Sequence, residues 1–354
     1  MSESGGPARR ESQMFADGER NGRGARVLVT GGYGCIGAAT VQWLLQHSDA
    51  SVVVCGRHVS MVRTKQVFGD QDSSRLTIAE LDVRDQSRLA ELMQQHDMTH
   101  VVHLAGLQTP DCNRYRDLGL QVNLGGTQNV VEAIKEYGRN VERFVFASSM
   151  AVYGPRSNYP SGLVSAEAAP KPVNVYGTWK LAGEQLTRLL HQETGIETIS
   201  LRPAALFGPG RDAGLTASPT TAMKHVAMGR PFEIPFANRQ DYQYVPDVGA
   251  AFGNAILRPF RGHHCLTLPG HCLESRELVD AMRSAARQLG IPAPFQITVG
   301  TDVVPFICEV DSQPFSDLFS EVPLTHMKQA VLETIEYYLR QVRQGNRLKL
   351  SNEN

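Results

Sequence analysis

Charge of one sign, long apolar runs and paired cysteines are all scarce in this 354-residue chain. The 35 Lys and Arg residues face 36 Asp and Glu, a formal net charge of −1, with no block of either sign. That leaves no electrostatic footprint for nucleic acid or an anionic membrane surface. No apolar run approaches the ~20 residues of a membrane span. The six cysteines, at 35, 55, 112, 265, 272 and 308, are scattered with no pair at metal-ligand spacing. They are expected to be reduced thiols in a cytoplasmic enzyme. Residues 1–25 are polar, glycine-rich and of mixed charge. They lack the apolar stretch of a secretion signal and the acid-poor pattern of a transit peptide, so a disordered tail is expected there.

What the chain does have begins at residue 27. Val27-Leu28-Val29-Thr30 reads as a buried strand and runs straight into Gly31-Gly32-Tyr33-Gly34-Cys35-Ile36-Gly37. A helical pattern, Ala38 to Leu45, follows at once. Glycines spaced Gly-x-x-Gly-x-x-Gly permit a tight strand-to-helix turn and a close approach to bare backbone. The helix N-terminus then favours a pyrophosphate. With strand, turn and helix all present, the run predicts dinucleotide binding.

Strand-like and helix-like runs alternate through the first 200 residues. Val27–Thr30, Ser51–Cys55, Leu76–Leu81, His100–Leu104, Arg143–Ser148 and Thr198–Arg202 read as strands. Gln86–Gln95, Leu118–Tyr137 and Tyr176–Glu193 read as helices between them. This predicts an α/β fold: a doubly wound, Rossmann-type parallel sheet with its ligand at the carboxyl ends of the strands. After Pro203 the loops lengthen and proline is frequent. Pro219–Met228 reads as a helix, Gln243–Val245 as a strand leading to a helix through Ile256, and His264–Leu268 as a strand. Ser275–Leu289 reads as a helix capped by its serine, and Lys328–Arg343 as the last helix. The expected organisation is a dinucleotide-binding domain over 26–202 with 240–262 returning to it. A smaller mixed substrate lobe spans 203–239 and 263–345, and 346–354 form a second tail.

Tyr176 and Lys180 stand four apart in a helical pattern and share a face. A free tyrosine titrates near about pH 10, so base chemistry at neutral pH requires a lowered pKa. A nearby ammonium and a positive nicotinamide ring would supply that. Upstream, Phe144 to Ala147 reads as a buried strand ending in Ser148-Ser149, where a hydroxyl can hold a substrate oxygen. His263-His264-Cys265 and His271-Cys272 resemble a metal cluster, but in a strand alternate side chains face opposite ways, and no metal is expected.

The ordered set of motifs resembles the extended short-chain dehydrogenase/reductase family, the NAD-dependent epimerase/dehydratase group, over roughly residues 26–345. The markers are the glycine run, Asp82-Val83-Arg84-Asp85, His103-Leu104-Ala105-Gly106, and Asn123 with Gly126-Thr127. To these are added Ser148-Ser149 with Val152-Tyr153-Gly154, Tyr176-x-x-x-Lys180, and Arg202-Pro203 with Phe207-Gly208-Pro209. The resemblance implies Tyr176 as general acid/base, Lys180 as its ribose-bound helper and Ser149 as donor to the substrate oxygen. It implies cofactor contacts from Gly31, Tyr33, Gly34, Cys35, Ile36, Gly37, Leu104, Ala105, Gly106, Tyr176, Lys180 and Pro203. Asp82 would meet the adenine amino group and Val83 would pack beside that ring. Asn123 would support the central helix, and a homodimer would form through Leu118–Tyr137 and Tyr176–Glu193. Substrate contacts are expected from Gln108, Ser149, Met150 and Arg239.

Departures from the family pattern carry information. Where NAD-using members place an acidic residue after the second strand, this chain has Gly56-Arg57. A missing carboxylate and an adjacent guanidinium favour the 2′-phosphate of NADP over NAD. Nucleotide-sugar members often carry Asn after the sixth strand and an Arg-Asp-Phe-like run. This chain has Ala204-Ala205 and Arg239-Gln240-Asp241-Tyr242, with the Arg one place early. The expected activity is therefore an NAD(P)-dependent interconversion of secondary alcohol and ketone on a small polyhydroxylated or carbonyl substrate. A nucleotide-sugar epimerase or dehydratase with retained cofactor is the alternative, and a non-catalytic cofactor-binding protein the second.

Overall fold

The computed structural model describes residues 24–69, 74–292, 296–304, 309–348 and 350. Cys308 and most of both expected tails lie outside them.

Val-, Leu- and Phe-rich runs with both faces covered form the main sheet. Its strands are β1 (Arg26–Thr30), β2 (Ser51–Gly56), β3 (Leu76–Glu80), β4 (His100–His103), β5 (Arg143–Ala147), β6 (Glu197–Arg202) and β10 (His263–Thr267). They lie in the order β10-β6-β5-β4-β1-β2-β3, all parallel. The order reverses between β1 and β4, and ligands of wound sheets bind at such a switch point, outside the carboxyl ends of the strands.

The flanking helices are α1 (Cys35–His47), α2 (Met61–Phe68), α3 (Gln86–Gln95), α4 (Gly126–Tyr137) and α5 (Val175–Thr194). Behind them in sequence come α6 (Ser218–Ala227), α7 (Val245–Leu257), α8 (Ser275–Gln288) and α9 (Met327–Arg343). One apolar cluster joins β1, β2 and α1 to α7, with Val29, Leu44, Val54 and Phe252 fully buried. A second lies on the opposite face, with Leu28, Leu89, Val101, Val130 and Phe144. No helix among the described residues is long and apolar enough to cross a membrane.

The rest is a smaller lobe. The strands β7 (Ala205–Phe207), β9 (Gln240–Tyr244) and β11 (His271–Leu273) form one three-stranded mixed sheet, and β8 (Phe232–Phe236) pairs with β12 (Ile297–Asp302). Phe207, Met223, Ile234, Met282 and Ile335 fill the core between these strands and α6, α8 and α9.

Three sequence expectations need correction. β10 belongs to the main sheet, not to the lobe that began at 263, because it pairs with β6 from Thr198 to Arg202. In the returning segment α7 and the stretch after it reach the large domain: Gly249 and Gly253 let α7 approach Ala39 and Trp43 of α1, and Phe260 joins the core beneath Arg143. β9 stays with the lobe. Finally, Ser275 is the first helical residue of α8 rather than its cap. Glu274 is the cap, in a reciprocal capping box with Glu277, which is a stronger device than one hydroxyl.

Candidate active site

The glycine run turns as its spacing predicts. Gly31 has φ +68°, and a Cβ there would lie 2.7 Å from the Ala105 nitrogen. A Cβ on Gly37 would lie 2.4 Å from the Gly31 carbonyl oxygen and 2.7 Å from the Gly32 Cα. The turn is therefore closed by backbone packing that no larger residue permits. Gly34 caps α1 without a side-chain hydrogen bond, so the first amide groups of that helix have no protein side chain over them. This bare, donor-rich cradle fits a dinucleotide pyrophosphate.

The cleft in front of it is lined by Gly31, Gly34 to Gly37, Leu104, Gly106, Gln108, Ser149, Met150, Tyr176, Lys180 and Pro203. Most of the expected residues therefore converge on one place. Asn123 sits on a π-helical segment, Leu120–Gly125, that runs into α4. Its amide accepts from Leu107 N at 2.7 Å and donates to Leu107 O at 2.9 Å. That clamp fixes the loop after β4 which carries Gln108.

Asn174 caps α5, accepting from Gly177 N at 2.8 Å, so Tyr176 lies in the first turn, at the strand ends. Tyr176, Lys180 and Glu184 follow at four-residue steps down one face. Ser148 donates to Glu184 Oε1 at 2.5 Å, and Arg202 forms two bonds to the same carboxylate at 2.7 and 2.8 Å. The Ser148 hydroxyl is thus committed to the scaffold, while the Ser149 hydroxyl accepts from Ala151 N at 3.2 Å and lines the cleft with Tyr176.

Lys180 Nζ donates to Ala147 O at 2.6 Å and lies 5.7 Å from the Tyr176 ring centre. Burial pushes its pKa down to about 8, against the opposing pull of Cys112 and Glu184. Burial raises the Tyr176 pKa, while Ser149 and the Arg211 charge pull the other way. The lowering expected from the Lys180 ammonium together with a bound nicotinamide belongs to the filled cleft.

Other expected contacts are placed differently. Both carboxylate oxygens of Asp82 accept from Arg84, at 2.9 and 2.6 Å, so an adenine amino group would have to share them. Val83 is buried against Gly126 at the start of α4. Tyr33 does not line this cleft, and its hydroxyl is bonded to Thr64 at 2.7 Å. Arg57 is exposed just beyond Gly56. Arg239 does not line the cleft; it is half exposed and pairs with Glu309 at 3.0 Å. Gln240 and Asp241 line the cleft in its stead. Among the described residues no group of three potential ligands could hold a metal.

Several cleft residues, Arg211, Thr216, Gln240 and Asp241 among them, were not anticipated from sequence. Arg211 follows Gly208-Pro209-Gly210 in a loop with no periodicity to reveal where its side chain goes. Asp241 was part of the displaced Arg-Gln-Asp-Tyr run, and the one-residue offset was the available signal.

The NAD dependent epimerase/dehydratase family matches residues 27–265. The chain is 31 % identical over 248 residues to UDP-glucose 4-epimerase 3 of Oryza sativa subsp. japonica, covering 66 % of this chain and 65 % of that one. It is 32 % identical over 188 residues to the L-arabinose 1-dehydrogenase (NAD(P)(+)) of Haloferax volcanii, covering 50 % of this chain and 66 % of that one. The chain thus spans about two thirds of the length of these curated relatives. The fold is similar to that of UDP-glucose 4-epimerase from Thermotoga maritima with UDP-glucose, at TM-score 0.75 and 20 % identity over 90 % of this chain and 99 % of that one. The UDP-glucose 4-epimerase of Thermus thermophilus in complex with NAD aligns at TM-score 0.71 and 24 % identity, over 88 % and 98 % of the two chains. With motifs, sheet order and matched length in agreement, the chain belongs to the NAD dependent epimerase/dehydratase family.

Proposed function

We propose that the chain interconverts a secondary alcohol and a ketone of a sugar-like substrate at the cleft, with Tyr176 as acid/base. The observation that carries this reading is the convergence of Ser149, Tyr176 and Lys180 beside the glycine cradle. Binding a dinucleotide alone requires no such set. A bound nicotinamide supplies the hydride acceptor and donor. Ser149 holds the carbinol oxygen, and Tyr176 takes its proton or returns it. Lys180, released from Ala147 O, holds the ribose hydroxyls and adds positive charge near the phenol. The raised pKa of Tyr176 suits the proton-donating direction in the open cleft; the oxidising direction needs the added positive charge of the filled one.

Most of the similar proteins named above are 4-epimerases, which supports an epimerase with retained cofactor as the first reading. A dehydrogenase that releases reduced cofactor is the second. It is favoured by Arg239 being paired with Glu309 outside the cleft lining and by the arabinose dehydrogenase relative. Substrate-dependent growth of reduced-nicotinamide absorbance identifies the dehydrogenase; product isomer without such growth identifies the epimerase. Tyr176→Phe, binding NADH normally, should lose turnover by about a hundredfold or more. Full turnover in that variant overturns the mechanism.

Gly56 and Arg57 support NADP(H) over NAD(H). A side chain at Gly56 would place its Cβ 2.9 Å from the Tyr33 ring, which hinders the ribose-binding carboxylate of NAD-selective sites. A homodimer through α4 and α5 is the expected assembly, supported by the exposed Leu120, Tyr137 and Leu189 on and beside those helices.

A further inference from the structure

Two walls of the cleft carry groups that the alcohol–ketone chemistry leaves unused. On one, Arg211 donates from Nη1 to Gln108 Oε1 at 3.2 Å and from Nη2 to Thr216 Oγ1 at 3.3 Å. Both acceptors are neutral, and both bonds sit at the long end of the usual range. Its Nε is buried without a partner. The neighbouring Asp212 is taken by Lys224 at 2.6 Å. A guanidinium in a cleft with no counter-charge among the described residues is an unbalanced site that an anionic ligand group would complete. Arg211 lines the cleft together with Tyr176, Cys35 and its own hydrogen-bond partners Gln108 and Thr216.

The second wall is β9. Gln240 and Asp241 both line the cleft there, but neighbouring strand residues turn their side chains to opposite faces, and the Asp241 Oδ1 is buried at Gly270. Burial holds its carboxyl well above the usual carboxylate range, so this wall adds no negative charge that would repel a carboxylate. A diphosphate needs several cationic donors. Among the described residues lining this cleft the cations are Lys180 and Arg211, and Lys180 is assigned to the ribose.

We infer that the substrate is a free polyhydroxylated carboxylate of sugar-acid size, its carboxylate on Arg211, rather than a nucleotide diphosphate sugar. This rests on the alcohol–ketone reading above and names its substrate class.

The test uses the full chain with NAD or NADP and four probes: D-gluconate, D-glucuronate, neutral D-glucose and UDP-glucose. Turnover is followed by cofactor absorbance and by product NMR, alongside NADH binding by fluorescence. The acids should react with KM at least about tenfold below that of D-glucose, and Arg211→Gln should remove that advantage while NADH binding stays unchanged. Arg211→Lys should restore part of it, since charge returns without the fork. A preference for D-glucose or UDP-glucose that is indifferent to Arg211 removes the sugar-acid assignment and leaves the alcohol–ketone reading standing. Equal weakening of NADH binding in Arg211→Gln assigns the arginine to the cofactor pyrophosphate and overturns the inference. No turnover on any probe, with NADH bound, counts against both.

Discussion

Replacing Glu184 by Leu would test whether the catalytic helix is anchored by charge. The carboxylate is 1 % exposed and accepts from Arg202, itself 6 % exposed, and from Ser148. Burial works against the Arg202 charge, but the Glu184 carboxylate more than offsets it and holds its pKa above the ordinary value. With Glu184 gone, the guanidinium keeps only the Tyr153 hydroxyl, at 2.7 Å. A buried charge stripped of its partner costs about 3–5 kcal/mol, against a whole-domain stability of about 5–15 kcal/mol. In urea denaturation the midpoint should fall by roughly 1–2 M with unchanged slope. The double variant Glu184→Leu/Arg202→Leu removes both charges and should regain most of the loss, because well-packed apolar replacements of buried pairs are often neutral. A single variant that loses under about 1 kcal/mol, the range of an exposed pair, refutes the argument. So does a double variant no more stable than the single.

Gly37→Ala should weaken NADH binding by at least about tenfold in calorimetric titration, because its Cβ meets backbone rather than a movable side chain. Arg57→Ala should raise KM for NADPH by about tenfold and leave that for NADH nearly unchanged; equal effects on both would remove the NADP preference. Burial lowers the pKa of His100 to about 4, of His103 to about 3 and of His263 to about 4. The unfolded chain, titrating near about 6.5, binds more protons between those values, so stability is full above about pH 6.5 and is lost as pH falls toward 4 and below. A urea midpoint that stays flat over that interval contradicts this. Leu120→Glu with Leu189→Glu should yield monomers in light scattering if α4 and α5 form the dimer face, since two buried carboxylates would oppose their copies.

Much of the fold was legible because its signals are local. The glycine turn is written in three residues that steric packing fixes, and Tyr176 and Lys180 share a face by helical geometry alone. The wound sheet follows from apolar runs too short for helices alternating with amphipathic ones too long for strands. What was not legible depends on register or on long-range partners. A shift of one residue in a strand exchanges its faces, so the Arg of Arg239-Gln240-Asp241 could not be placed until β9 was seen to start at Gln240. Arg211 is positioned by a loop, and its partners Gln108 and Thr216 lie on different segments. Burial, which has no sequence periodicity, raises the Tyr176 pKa in the open cleft, so the lowering expected with a bound nicotinamide has that penalty to overcome. β10 looked like lobe because sequence order places it after the excursion that begins at Pro203.

That late strand has a consequence for how the chain can be cut and made. The polypeptide leaves the main sheet at Arg202 and rejoins it only at His263. A fragment ending near the apparent halfway boundary would present the unpaired flank of β6 to its neighbours, an invitation to aggregate. During synthesis the ribosome must release Thr267 before the sheet has its full width. The two lobes are therefore interlaced pieces of one folding unit, and exchanging either with a relative's would require a splice at each crossing, after Arg202, Tyr244 and Thr267, rather than one.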